Sequence, residues 1–371
     1  MKTIYSKLVI LFIMSSVMVA CTKKTTAPTA EDNFLNYKIP EIAVAQDYVV
    51  GAFYSYFNAF NVNVKDTPVT GKYNMPLGVV SPAVITNQIS AAGRGGIDYF
   101  VFSFRSASRD LNNYKIDSAV VKSFTDANGA NMKFALAYNW STTSYAVATA
   151  TPLENDAVKL EQFFQDFLRV VPVLKNANYM KVKGKMLLYI LNAQIIYSNN
   201  NAAIYKTLRD RLSAQGVELY IVGMQDRWTP PARYPFRFVN CVDAVYHQSF
   251  STQNSEWDRF YLLPQMMDQN WKYSVKYWKD NNWNIDYVPN ISPGYNEKIN
   301  NPNGVQPVYA RTDAGALYKQ LCNVAKMNAN ETTRLIMIDS WNDWSLGSQL
   351  EPAVSYGDAY LEYTKKQFKK Q

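Results

Sequence analysis

The sequence predicts an α/β chain folded as a single-domain (β/α)8 TIM barrel. Three observations carry that prediction. Eight short apolar or β-branched runs recur along the chain, and stretches with 3.6-residue apolar spacing separate them. No glycine-rich nucleotide fingerprint follows any of the runs, which sets an open doubly wound sheet second to a closed barrel. Residues 41–371 form a stretch that suits one large barrel as well as two smaller domains, and the unbroken alternation favours the barrel.

Residues 1–20 read as an export signal rather than as structure. Lys2 and Lys7 form its charged region, Leu8–Ile13 its apolar core, and Met18-Val19-Ala20-Cys21 a small-residue cleavage site ending in cysteine. The pattern resembles a bacterial lipoprotein signal, with Cys21 the lipidated N-terminus. Residues 21–40, rich in Thr, Ala and Pro, read as a flexible linker to the barrel at 41–371.

The strand candidates are Tyr48–Phe53, Tyr99–Phe104, Lys133–Tyr138, Met186–Ile190, Leu219–Val222, Ala244–Tyr246, Tyr287–Ile291 and Leu335–Ile338. Ser81 and Pro82 supply an N-cap and an N1 proline for the first helix, which Gly93–Gly96 close. Helices are also expected over Ile116–Ala127, Leu153–Leu174 and Ala202–Ala214, the last stopped by Gln215-Gly216. Tyr261–Trp278, Ala314–Met327 and Tyr356–Gln367 continue the alternation. Arg227–Phe238, with three prolines, reads as an irregular connection.

The formal charge of +8 overstates the basicity of the domain. Lys2 and Lys7 fall in the signal, and Lys365, Lys366, Lys369 and Lys370 in the tail, so the body is nearly neutral. No basic stripe with interleaved aromatics marks a nucleic-acid surface. Cys241 and Cys322 sit in apolar contexts and read as separate buried thiols. One histidine, His247, and no clustered cysteines leave no histidine- or thiolate-built metal site, and no cofactor is expected. Aromatic residues make up 14% of the chain and many follow strands, where flat faces with polar tips suit sugar rings.

In such a barrel the functional groups sit just after each strand, on one face. Those positions hold Tyr54, Tyr56, Arg105 and Arg109 early in the chain, then Asn139, Trp140, Asn192 and Gln194. Asp226, Arg227, Trp228, His247 and Gln248 follow, and Tyr295, Glu297 and Trp341-Asn342-Asp343-Trp344 complete the set. Aromatics, amides and arginines with few carboxylates describe a carbohydrate cleft. The alternative for each tryptophan is packing in the barrel wall.

Leu335–Pro352, LIMIDSWNDWSLGSQLEP, resembles the last strand of glycoside hydrolase family 99, the endo-α-mannosidases, and is similar to that of family 71, the α-1,3-glucanases. Gly96-Ile97-Asp98-Tyr99-Phe100-Val101-Phe102 and Pro289-Asn290-Ile291-Ser292-Pro293-Gly294-Tyr295 match other strands of the pattern in the right order. The resemblance implies the barrel, an α-linked mannan or glucan as substrate, and Asp343 as the carboxylate that activates a sugar hydroxyl or water. It also implies a glutamate three residues on, as general acid and base, where this chain has Leu346. Leucine cannot donate a proton. Asp226, Glu256, Glu297 and Asp339 are the carboxyls from which a substitute could come, each with an alternative role in an ion pair, in solvent or bonded to backbone.

Two readings are therefore open. One is a lipid-anchored glycoside hydrolase of the bacterial cell envelope, with Asp343 as the surviving catalytic carboxylate. The other is a non-catalytic lipoprotein that captures glycan for other glycan-utilisation proteins.

Overall fold

Parallel strands buried on both faces need continuous apolar sequence, and Tyr99–Phe104, Leu219–Gln225 and Leu335–Ile338 provide it. The computed structural model describes residues 37–249, 262–304, 308–309, 311 and 315–371. The export signal, Cys21, most of the linker and Glu256 lie outside the described residues. Residues 39–371 form one compact unit.

The strands are β1 (Val49–Tyr54), β2 (Tyr99–Phe104), β3 (Lys133–Asn139), β4 (Lys181–Val182), β5 (Lys185–Leu191), β6 (Leu219–Gln225), β7 (Ala244–His247), β8 (Asp286–Tyr287), β9 (Asn290–Ile291) and β10 (Leu335–Ile338). All pair in parallel except β4, a two-residue flap antiparallel to β5. The order runs β8-β7-β6-β5-β3-β2-β1-β10-β9. β8 and β9 are two halves of one strand, so this order closes into a ring.

The split in the expected strand Tyr287–Ile291 has a simple cause. Pro289 has no N–H to donate toward β10, which interrupts the ladder there. The strand still hands its bonds across the gap. Val288 N donates to Val245 O at 3.0 Å on one side, and Met337 N donates to Pro289 O at 2.8 Å on the other.

Helices α1 (Pro82–Arg94), α2 (Leu111–Ala127), α3 (Ala157–Arg169), α4 (Asn201–Ser213), α5 (Leu263–Asp280), α6 (Ala316–Asn328) and α7 (Ala359–Phe368) surround the ring. The expected helix Leu153–Leu174 is broken twice. Asp156 caps α3 by accepting from Val158 N and Lys159 N, and Pro172 restricts the C-terminal piece to the single turn Val171–Leu174. After β6 the connection contains only the turn Pro235–Phe238, in keeping with its prolines.

Aromatic side chains fill the barrel. Tyr99 Oη lies 2.8 Å from Tyr189 Oη and 3.2 Å from Met337 Sδ. Gly51 makes room for them, since a Cβ there would stand 2.3 Å from the Tyr99 ring and 2.7 Å from Met337 Sδ. At the amino end Asp98 accepts from Val50 N and from Lys369 Nζ, a structural clasp. Cys241 and Cys322 are buried and unpaired.

Candidate active site

A cavity of about 470 Å³ opens at the carboxyl ends of the strands. Phe53, Phe102, Leu191, Met224 and the Tyr54 ring form apolar parts of its wall. Its polar lining comes from Tyr56, Arg105, Asp117, Asn139, Asn192, Tyr246, Gln248, Asn290, Asp339 and Asp343.

The segment after β10 delivers two of these carboxyls. Trp341 N donates to Phe53 O at 2.7 Å, tying the segment to the end of β1. The Asn342 amide imitates a neighbouring strand, with Oδ1 accepting from Ser55 N at 2.7 Å and Nδ2 donating to Ser55 O at 3.1 Å. Ser340 Oγ accepts from Asp343 N at 2.7 Å, and Ser348 N donates to Asp343 O. The turn is thus closed by its own hydrogen bonds, which fixes where Asp343 points.

Asp343 Oδ1 accepts from Ser345 Oγ at 2.7 Å and from Leu346 N at 3.1 Å. Burial lifts its carboxyl above the usual range, and these donors partly offset the rise. Asp339, directly after β10, accepts from Ser249 Oγ at 2.8 Å. Burial is again the largest influence, the charge of Asp343 adds to it, and the carboxyl is pushed up to about 6. Asn290 donates to His247 O while its Oδ1 is buried without a protein partner at the cavity wall.

Arg105 is committed elsewhere. Its guanidinium grips Asp117 through two bonds of 2.9 and 2.6 Å, and its backbone N adds a third at 2.9 Å. The basic charge on the wall is therefore balanced locally.

Several residues expected to meet a sugar are turned away from this cavity or spend their polar atoms on buried partners. Trp140 is 1% exposed, stacks on Tyr145 at 4.7 Å and donates Nε1–H to Ile195 O. Trp341 is fully buried against Phe100, with ring centres 5.0 Å apart. Trp344 and Asn342 are buried as well, the indole N–H going to Glu351 Oε2 at 2.8 Å. His247 is a barrel histidine: Nδ1 meets Tyr287 Oη at 2.8 Å, and burial depresses its pKa to about 4. Tyr54 lines the wall, but its hydroxyl is spent on Gln88 Oε1.

Asp226, Trp228, Tyr295 and Glu297 are not among the residues lining the cavity. Asp226 is exposed and accepts from Gln194 Nε2 at 2.8 Å. Arg227 stacks on Trp228 with the guanidinium 4.7 Å from the ring centre. Tyr295 is bridged to Tyr309, and Glu297 opens a short turn. Leu346 is absent from the lining too; it is half-buried against the core. Tyr56, Asn139, Asn192, Gln248 and Asp343 do line it, together with Ser249's partner Asp339 and with Asn290 and Tyr246, which the strand-end pattern did not single out.

Behind the wall a second carboxyl network braces the same segment. Glu351 accepts from Gln88 Nε2 at 2.9 Å, Tyr73 Oη at 2.8 Å and Trp344 Nε1. Asn342 Nδ2 in turn donates to Tyr73 Oη.

A closed parallel ring with a carboxylate-bearing hollow at its carboxyl mouth defines a (β/α)8 barrel of the glycoside hydrolase type. The chain belongs to the family described as "Glycosyltransferase WbsX", whose model matches residues 70–364. A solved structure described as "Glycoside hydrolase-like protein" shares 30% identity and a TM-score of 0.81, covering 92% of this chain and 99% of that one. The GH99 endo-α-mannosidase from Bacteroides thetaiotaomicron aligns with a TM-score of 0.61 at 17% identity, over 86% of this chain and 96% of its own. A GH113 β-1,4-mannanase shares the fold at 6% identity with a TM-score of 0.53, over 88% and 100%. No curated protein matches the chain. The expected likeness to family 99 is borne out at the level of the fold.

Proposed function

We propose that the protein cleaves an α-linked glycan, mannan or glucan, with Asp343 as the carboxylate that accepts the proton of the attacking water. The observation that carries this reading is the placement of Asp343. It lines the cavity beside a second carboxyl, on a turn held by hydrogen bonds within itself and to Phe53 and Ser55 at the end of β1. The amides, Tyr56 and the orphaned Asn290 Oδ1 offer the scattered donors and acceptors that hydroxyl-rich rings need. Sugar transfer from a nucleotide donor fits less well, because among the described lining residues the one basic group, Arg105, is already paired. The family's name and its hydrolase-like relative thus differ in the direction of the chemistry, and the paired charge on the cavity wall favours cleavage.

Capture without cleavage is the second reading, supported by Leu346 at the position where the resemblance expects an acid. Incubation of the purified protein with α-mannan and α-glucan separates the two. Release of reducing ends is expected; retarded migration in a glycan-containing gel with no new ends would overturn cleavage.

The signal-like pattern of residues 1–20 supports a cell-envelope location for this activity, with a lipid tether at Cys21. Cys21→Ser is expected to shift the full chain from the membrane fraction to the soluble one, and unchanged fractionation would rule out the tether.

A further inference from the structure

We infer that Asp339 is the proton donor of this site, an inference that rests on the cleavage reading above. Breaking the bond between two sugars leaves an alkoxide that needs a proton, and Leu346 neither carries one nor lines the cavity. Among the described lining residues the carboxyls are Asp117, Asp339 and Asp343. Asp117 is clamped by Arg105 through three hydrogen bonds. Glu351 is enclosed by Gln88, Tyr73 and Trp344 behind the wall. Asp339 is the one that remains beside Asp343.

The two differ in their surroundings in the way an acid and a base must. Asp343 is supported by a serine hydroxyl and a backbone N–H from its own turn. Asp339 has the Ser249 hydroxyl, with Asn290 also supporting its charged form, and it faces the charge of Asp343. Among the described residues the phenol of Tyr246, from β7, also lies near it. Each influence of Asp343 on Asp339 favours the protonated carboxyl, so the pair divides into one neutral and one charged member.

The step balances. The Asp339 O–H proton passes to the glycosidic oxygen as the bond to the anomeric carbon breaks, and that oxygen keeps the electron pair. The oxygen of water forms the new bond to the anomeric carbon, and its proton goes to Asp343. Asp343 then releases that proton to solvent and Asp339 takes one up, leaving two sugar hydroxyls as products.

The test compares two leaving groups in the full chain. On the α-glycan that the wild type cleaves, Asp339→Asn is expected to lose about 10²–10⁴ in kcat/KM. On the 2,4-dinitrophenyl α-glycoside of the released sugar, whose leaving group departs without a proton, the loss should stay below about tenfold. Asp343→Asn should slow both substrates. Ser249→Ala keeps the acid but removes a donor to its charged form, and should move the alkaline limb of the pH profile upward; this variant carries the test if Asp339→Asn misfolds. An equal loss on both substrates, a wild-type rate in Asp339→Asn, or an unmoved limb in Ser249→Ala would overturn Asp339 as donor. A wild type that cleaves neither substrate would instead overturn the cleavage reading itself.

Discussion

Asp343→Asn is expected to lower glycan turnover by about 10²–10⁴-fold while leaving the fold intact. The amide has the shape of the carboxylate, and its Oδ1 can still accept from Ser345 Oγ and Leu346 N, so the turn keeps its geometry. What is lost is the second oxygen, replaced by an NH₂ that cannot take a proton. Because burial raises the Asp343 carboxyl, wild-type activity should fall as pH drops through a limb lying above the ordinary carboxylate range. The variant removes a partly desolvated charge, so its unfolding temperature should match or slightly exceed the wild type at neutral pH. Initial rates and thermal unfolding on the same preparations decide the matter. Full turnover in the variant would remove Asp343 from the chemistry, and a fallen unfolding temperature would make the rate loss uninterpretable as a chemical effect.

The barrel was legible because its strands are buried on both faces and so must be written in apolar residues, as Leu335–Ile338 and Tyr99–Phe104 are. What sequence could not show was where one proline would cut a strand. Pro289 lies inside an apolar run, and only the ladder reveals that its missing N–H faces β10. The tryptophans were the costliest ambiguity. An indole after a strand looks the same whether it points into the cleft or back into the wall, and Trp140, Trp341 and Trp344 all point back. Asp343 was singled out by the resemblance of Leu335–Pro352 to family 99, and Asp339, the carboxyl that ends the apolar run, entered only as one of four candidate substitute acids. Ser249, Asn290 and Tyr246 were not legible, since single polar groups at strand ends carry no periodicity. The same limit hid the brace around Glu351, whose partners Gln88 and Tyr73 lie 263 and 278 residues away in sequence.

That brace makes a second large effect measurable. Burial pushes the Glu351 carboxyl up to about 7 from an ordinary 4.5, despite the bonds from Gln88, Trp344 and Tyr73. Between those two pH values the folded protein holds a proton that the unfolded chain has released. The unfolded state binds fewer protons there, so stability falls as pH rises through the window and is level on either side. At 1.36 kcal/mol per pKa unit, Glu351 alone removes on the order of 3 kcal/mol between pH 5 and pH 8. Asp339 acts with the same sign, its carboxyl being raised to about 6. Glu351→Gln, which imitates the protonated form, should therefore flatten the fall in urea-unfolding free energy without abolishing it. Its amide can donate to Tyr73 Oη, since a hydroxyl accepts as readily as it donates, whereas Trp344 Nε1 then competes for the one remaining carbonyl. A constant offset between the two proteins measures that competition; the difference in slope measures the proton. Equal slopes would mean that Glu351 is charged in the folded state throughout, and that its three donors, rather than burial, set its titration.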